Sequence, residues 1–192
     1  MQIDTAHHDT AHHDTAQNDT MRPLASGLTV LGALARVLPH LPNFAPVGSI
    51  SLFAGARMRG WQAYAMPLVL MAVTDQFVGG WSAATPLVYL AFLINVFIGT
   101  RLRGTENAFK IGAGVLSGSL VFFQLTNFAW LMGSTMYPHT LAGVVQCYVA
   151  AIPFYGRTLA SDLLYSGALF GLHAWLSRMV SRSERVGTLQ TA

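Results

Sequence analysis

The chain of 192 residues is 53% hydrophobic and only 10% charged, against about 25% charged in an ordinary soluble domain, which excludes a typical water-soluble globule. Its formal charge of +3 comes from basic residues set singly between apolar runs, so no nucleic-acid partner is expected. The lone Cys147 excludes an intramolecular disulfide and any multi-cysteine metal site.

The first twenty residues repeat a five-residue unit, Asp4 to His8 and again Asp9 to His13, which decays through Asp14 to Asn18. Such a segment cannot bury a core, and residues 1–21 are read as a disordered His/Asp/Thr-rich tail. Met21, directly before the first apolar run, is an alternative start of translation. His7, His8, His12 and His13 leave a metal-collecting role open, because neutral imidazoles bind Zn, Ni or Co.

Apolar runs follow at 24–38, 46–56, 62–80, 86–100, 109–132 and 140–178, the last broken by Pro153 and Arg157. A spanning helix needs about 20 apolar residues, so the 140–152 stretch is assigned to a short re-entrant or interfacial helix and the sixth span to about 157–178. The expected fold is an all-α integral membrane protein, a six-transmembrane-helix bundle over residues 22–180 with a cytoplasmic tail at 181–192. Arg57 and Arg59 occupy one short connection and Arg101, Arg103 and Lys110 another, while those around 41–45, 81–85 and 133–138 carry no Lys or Arg. The positive-inside rule then puts both termini in the cytoplasm and the chain in a bacterial inner membrane. Trp61 and Trp175 fall at the inner ends of runs and Trp81 and Trp130 at the outer ends, the pattern of interfacial aromatic belts. Ala33-Leu34-Ala35 resembles a signal-peptide cleavage site, but removing the first run upsets the charge balance, and it is read as a retained helix.

Charged groups inside a membrane mark functional sites by default. Asp75 and Asp162 are the only acids within the runs, and Arg36 and Arg157 are the bases expected at the same outer depth. With the nearby hydrogen-bonding residues His40, Asn43, Asn127 and Tyr148, these define a candidate substrate pocket open to the outside. Gln124, Thr126, Tyr137 and His139 lie near the same ends. The competing reading is that the charges only pair with one another and hold the bundle together. Small residues four apart, Ser51/Gly55, Gly114/Gly118 and Gly167/Gly171, point to close helix packing or to docking of another membrane protein. No phosphate loop, dinucleotide fingerprint or zinc-protease motif is present, His139 and Cys147 are two helical turns apart, and the chain is read as neither an enzyme nor a cofactor protein.

Three stretches, Arg36 to Ala56 (RVLPHLPNFAPVGSISLFAGA), Phe122 to Trp130 (FFQLTNFAW) and Tyr137 to Asp162 (YPHTLAGVVQCYVAAIPFYGRTLASD), together resemble an uncharacterised bacterial membrane family, a domain of unknown function. That family is in turn similar to the substrate-binding S components of energy-coupling-factor vitamin transporters. The resemblance implies a six-helix bundle that captures a vitamin or related heterocycle on its outer side. Its pocket would be lined by His40, Asn43, Phe44, Trp81, Tyr137, Cys147, Tyr148 and Phe154. It also implies a membrane scaffold protein and two ATPases as partners, although the first run offers only an irregular set of small residues for docking, Ser26, Gly27, Gly32, Ala33 and Ala35, and some relatives work alone. One solitary group holds cobalamin through a cysteine, a role Cys147 would have to fill here. The function expected is small-molecule uptake or capture in the lipid bilayer. The alternatives are a structural or assembly membrane protein without ligand, and a nickel or cobalt transporter using the His-rich tail with His40 and His139.

Overall fold

A computed structural model describes residues 23–38, 44–78 and 81–190 of the chain. Among these residues there are six helices and no strand: α1 (Pro23–Ala35), α2 (Val47–Arg57), α3 (Gln62–Val78), α4 (Thr85–Thr100), α5 (Ala108–Gly133) and α6 (Leu141–Gln190). The protein is all-α. The His-rich tail and the segment holding His40 and Asn43 lie outside the described residues.

One helix, α5, is long and apolar enough to cross a membrane, and α1 and α4 are apolar but shorter. A Pro at position N2 starts α4, and Asn107 caps α5 by accepting from the amides of Phe109 and Lys110. The 46–56 run, expected to be a span, forms α2, whose 11 residues reach only about 17 Å at 1.5 Å per residue. That is too short for a hydrocarbon core of about 30 Å. Nine of those residues are buried, and α2 touches α3, α4, α5 and α6, so it is the central post of the bundle. Its sequence, VGSISLFAGAR, has no polar face because it has no solvent face.

The α2–α4 contact depends on two glycines. A Cβ on Gly55 would run into the Val96 backbone carbonyl, and one on Gly99 into that of Leu52. The two backbones meet at this reciprocal crossing, which only residues without a side chain permit. Gly118 is likewise closed by the Asn95 side chain and Gly114 by Leu102, whereas Gly167 and Gly171 have open space before them. Phe53, fully buried on α2, packs edge-on against Phe170 of α6 at 5.2 Å between ring centres.

The expected break between a re-entrant segment at 140–152 and a span from 157 does not occur. α6 continues through both Pro153 and Arg157 for 50 residues. Proline removes one i to i−4 hydrogen bond, here to Val149, and a helix tolerates that single loss where neighbouring turns persist. Arg157 is exposed and leaves its charge outside the packing.

Basic residues gather at one end of the bundle. Arg57 donates to the Thr105 carbonyl at 2.7 Å, and Arg103 donates to the carbonyls of Gly55 and Met58 at 3.2 and 3.3 Å, closing the last turn of α2. Arg178 reaches Glu106 at 3.3 Å at the same end. The opposite end holds the end of α1, the α3–α4 connection and the α5–α6 connection.

Candidate functional site

The residues expected to form one polar pocket fall into three places. At the end away from the basic cluster, Arg36 pairs with Asp75 at 2.6 Å, both side chains about 85% withdrawn from solvent (15% and 14% exposed). The other guanidinium nitrogen donates to Thr74 Oγ1 at 2.7 Å, and the Tyr89 hydroxyl donates to the second Asp75 oxygen at 2.5 Å. Trp81 lies over Tyr89 at 5.7 Å between ring centres. Each oxygen of the carboxylate thereby has one partner, Arg36 from the end of α1 or Tyr89 of α4, and the group ties α1, α3 and α4 together.

The second place is a cavity of about 420 Å³ between α5 and α6, at the end where the two helices connect. Phe122, Phe123, Trp130, Tyr137, Phe154 and Tyr155 give it aromatic walls, with Thr126, Asn127, Cys147 and Thr158 as the polar and thiol groups. Phe123 and Tyr155 are 4.8 Å apart between ring centres. Asn127 donates to the Phe123 carbonyl of its own helix at 2.7 Å, and Thr126 donates to that of Phe122 at 2.8 Å. Tyr148 stands just behind the wall, donating to the Gln124 carbonyl at 2.8 Å with its ring edge-on to Phe123. The Cys147 thiol points at the Asn127 carbonyl, 3.8 Å away, and His139 Nε2 lies 3.0 Å from the Leu131 carbonyl oxygen, so cysteine and histidine serve separate partners.

The third place is Asp162, 4% exposed. Five positions separate it from Arg157, which is roughly 140° around a helix of 3.6 residues per turn, so these two do not share one pocket as expected: Asp162 faces inward and Arg157 outward. Asp162 also lies deeper than expected. It sits beside Ser119, the twelfth of the 26 residues of α5 and thus near that helix's middle.

Of the residues named from sequence, Arg36 and Asp75 meet, Asn127 and Tyr148 share the cavity region, Asp162 and Arg157 stand apart from both, and His40 and Asn43 lie outside the described residues. Phe44 is at Tyr165 of α6, 6.1 Å between ring centres, away from the cavity. Sequence reasoning missed Phe122, Phe123, Trp130 and Tyr155. Their signal was present as two aromatic clusters flanking one connection, which an antiparallel helix pair brings face to face. Among the described residues there is no group of three His, Cys, Asp or Glu side chains able to hold a metal.

An all-helical chain with one helix of membrane-crossing length and apolarity belongs to a broad class. Residues 17–184 match a family of unknown function, DUF6580, and the chain belongs to that family. No curated protein and no solved structure matches it.

Proposed function

We propose that the protein is a multi-pass membrane protein that captures a small, flat, largely apolar heterocycle in the cavity between α5 and α6, without covalent chemistry. The aromatic lining carries this reading. Six aromatic rings around a cavity of about 420 Å³ suit a planar ligand by stacking, while Asn127 Oδ1 and the Tyr137 and Tyr155 hydroxyls suit the polar edge of a ring system. The resemblance of the family to vitamin-binding S components, read from size and the position of the outer loops, supports the same class of ligand. Membrane residence is supported by the 10% charge content, by the gathering of Arg57, Arg103 and Arg178 at one end, and by four exposed tryptophans, Trp61, Trp81, Trp130 and Trp175. With the basic end cytoplasmic, the cavity opens on the outer side of a bacterial inner membrane.

A second reading is favoured by one observation. The Arg36–Asp75 charges pair with each other and find further partners in Thr74 and Tyr89 on the neighbouring helices, which suits a structural or assembly protein. The two readings separate by mass spectrometry of small molecules released from gently purified full-length protein. Capture predicts a ring compound bound to the intact chain and lost from Tyr155→Ala, with unchanged helix content. An intact chain that releases nothing, and whose melting temperature is unmoved by a panel of B vitamins, overturns capture and leaves the assembly role.

A further inference from the structure

Asp162 is a buried carboxylate with no basic partner, and its surroundings explain how it is tolerated as an anion. The first turn of α2 has no side-chain cap of its own, since Pro46 occupies the N-cap position and its carbonyl serves only the Ile50 amide. The amides ahead of Ile50 therefore need an acceptor from elsewhere. Asp162 supplies it from α6: its carboxylate is within hydrogen-bonding reach of the Ser49 amide, while the Ser49 hydroxyl donates to the Asp162 backbone carbonyl at 2.9 Å. Gly48 makes the approach possible, because a Cβ there would lie 2.6 Å from Asp162 Oδ1. Next to the carboxylate is Ser119, 2% exposed, whose hydroxyl is within hydrogen-bonding reach of Asp162 and has no other partner. One turn along α6 from Asp162, Ser166 is 2% exposed and without a partner. Ser161, fully buried, donates to the Ala45 carbonyl at 3.1 Å and joins the α1–α2 connection to the same spot.

No charged side chain of the described residues acts on this carboxylate. Arg57 is the only ionisable group of α2 and stands at its far end, Lys110 is the only one of α5 and lies nine positions from Ser119, and α1 has none. On α6 itself the nearest charged or titratable groups are Tyr165, Arg157, Tyr155 and His173; Arg157 is exposed, Tyr155 faces Phe123 and the cavity, and His173 is three turns away against Phe53. The site therefore has two balanced forms. As an anion, Asp162 accepts from the first turn of α2 and is favoured by the positive end of that helix. As a neutral acid, it gains one O–H, which the oxygen of the neighbouring Ser119 or of the unpartnered Ser166 can accept, and it weakens its hold on α2.

We propose that Asp162 is a proton-exchange site in the middle of the bundle, taking one proton from water and returning it, with α2 released in the protonated form and capped in the ionised form. This assignment is independent of any ligand in the α5–α6 cavity.

The test is infrared difference spectroscopy of full-length protein in lipid vesicles, titrated between acid and alkaline pH in choline buffer. The expected result is a protonated-carboxyl C=O band in the double difference of the intact chain minus Asp162→Asn, in which the other seven Asp and Glu side chains and the C-terminus cancel; it disappears in a one-proton transition, survives Asp75→Asn and moves its midpoint in Ser119→Ala. Asp162→Asn keeps the shape and folds as a neutral isostere, and circular dichroism of that variant checks it. A double difference with no carboxyl band at any pH overturns the proposal. A response to sodium at fixed pH with no pH-dependent band also overturns it, in favour of an alkali-cation site.

Discussion

Asp75 and Asp162 are both acids withdrawn from water, and they are held in opposite ways. Asp75 meets a full positive charge at 2.6 Å and a phenol, so its side chain is fixed between α1, α3 and α4. Asp162 meets only the partial charge of a helix end and neighbouring hydroxyls. The difference lies in what each can exchange. A paired charge costs several kcal/mol to unpair, whereas a carboxylate capping a helix trades one hydrogen-bonded arrangement for another at a cost of about 1 kcal/mol. The first suits a permanent tie between helices and the second a group that changes state.

That contrast breaks most readily at Arg36. Arg36→Met leaves Asp75 charged and unpaired, and thermal unfolding in detergent is expected to show a loss of about 3 kcal/mol. Adding Asp75→Leu to Arg36→Met should recover most of it; a double variant no better than the single would show that the pair is not the reason for the loss. The corresponding change at Asp162 acts through space. Gly48→Ala places a methyl group against Asp162 Oδ1, and should cost about 2 kcal/mol of overpacking. Asp162→Ser in the same chain should relieve part of that cost, and full additivity of the two would deny the contact. Tyr89→Phe removes one hydrogen bond to Asp75 Oδ2, while Oδ1 of the same carboxylate retains its arginine. About 1.5 kcal/mol is expected from its melting curve. Smallest is Arg157→Gln, at an exposed position that Asp162 does not use, with a change of less than about 0.5 kcal/mol. A large loss there would mean that Arg157 does engage the buried acid.

The Arg36–Asp75 tie was legible because two lone charges at the outer ends of apolar runs must find each other or remain uncompensated. The all-helical class was legible for the same reason that the chain is unusual, its long apolar stretches with few charges. Three features were not. Pro153 reads as a helix break, yet a single lost hydrogen bond does not outweigh the turns on either side, and α6 passes through it. The depth and facing of Asp162 depend on the helical phase of α6, which an assumed start at residue 157 does not set. The cavity was hidden because aromatic residues in an apolar run read equally as lipid-facing or core. Only the antiparallel pairing of α5 and α6 turns Phe122 and Phe123 toward Phe154 and Tyr155.

The unbroken course of α6 has a mechanical consequence. At 1.5 Å per residue its 50 residues make a rod of about 75 Å, more than twice the hydrocarbon thickness of about 30 Å. The cavity wall at Cys147 to Thr158, the acid at Asp162 and the Arg178–Glu106 contact are therefore fixed along one shaft. A tilt imposed at any one of these stations is transmitted to the others as leverage, with arms of about 24 Å from Asp162 to Arg178 and about 22 Å from Asp162 to Cys147.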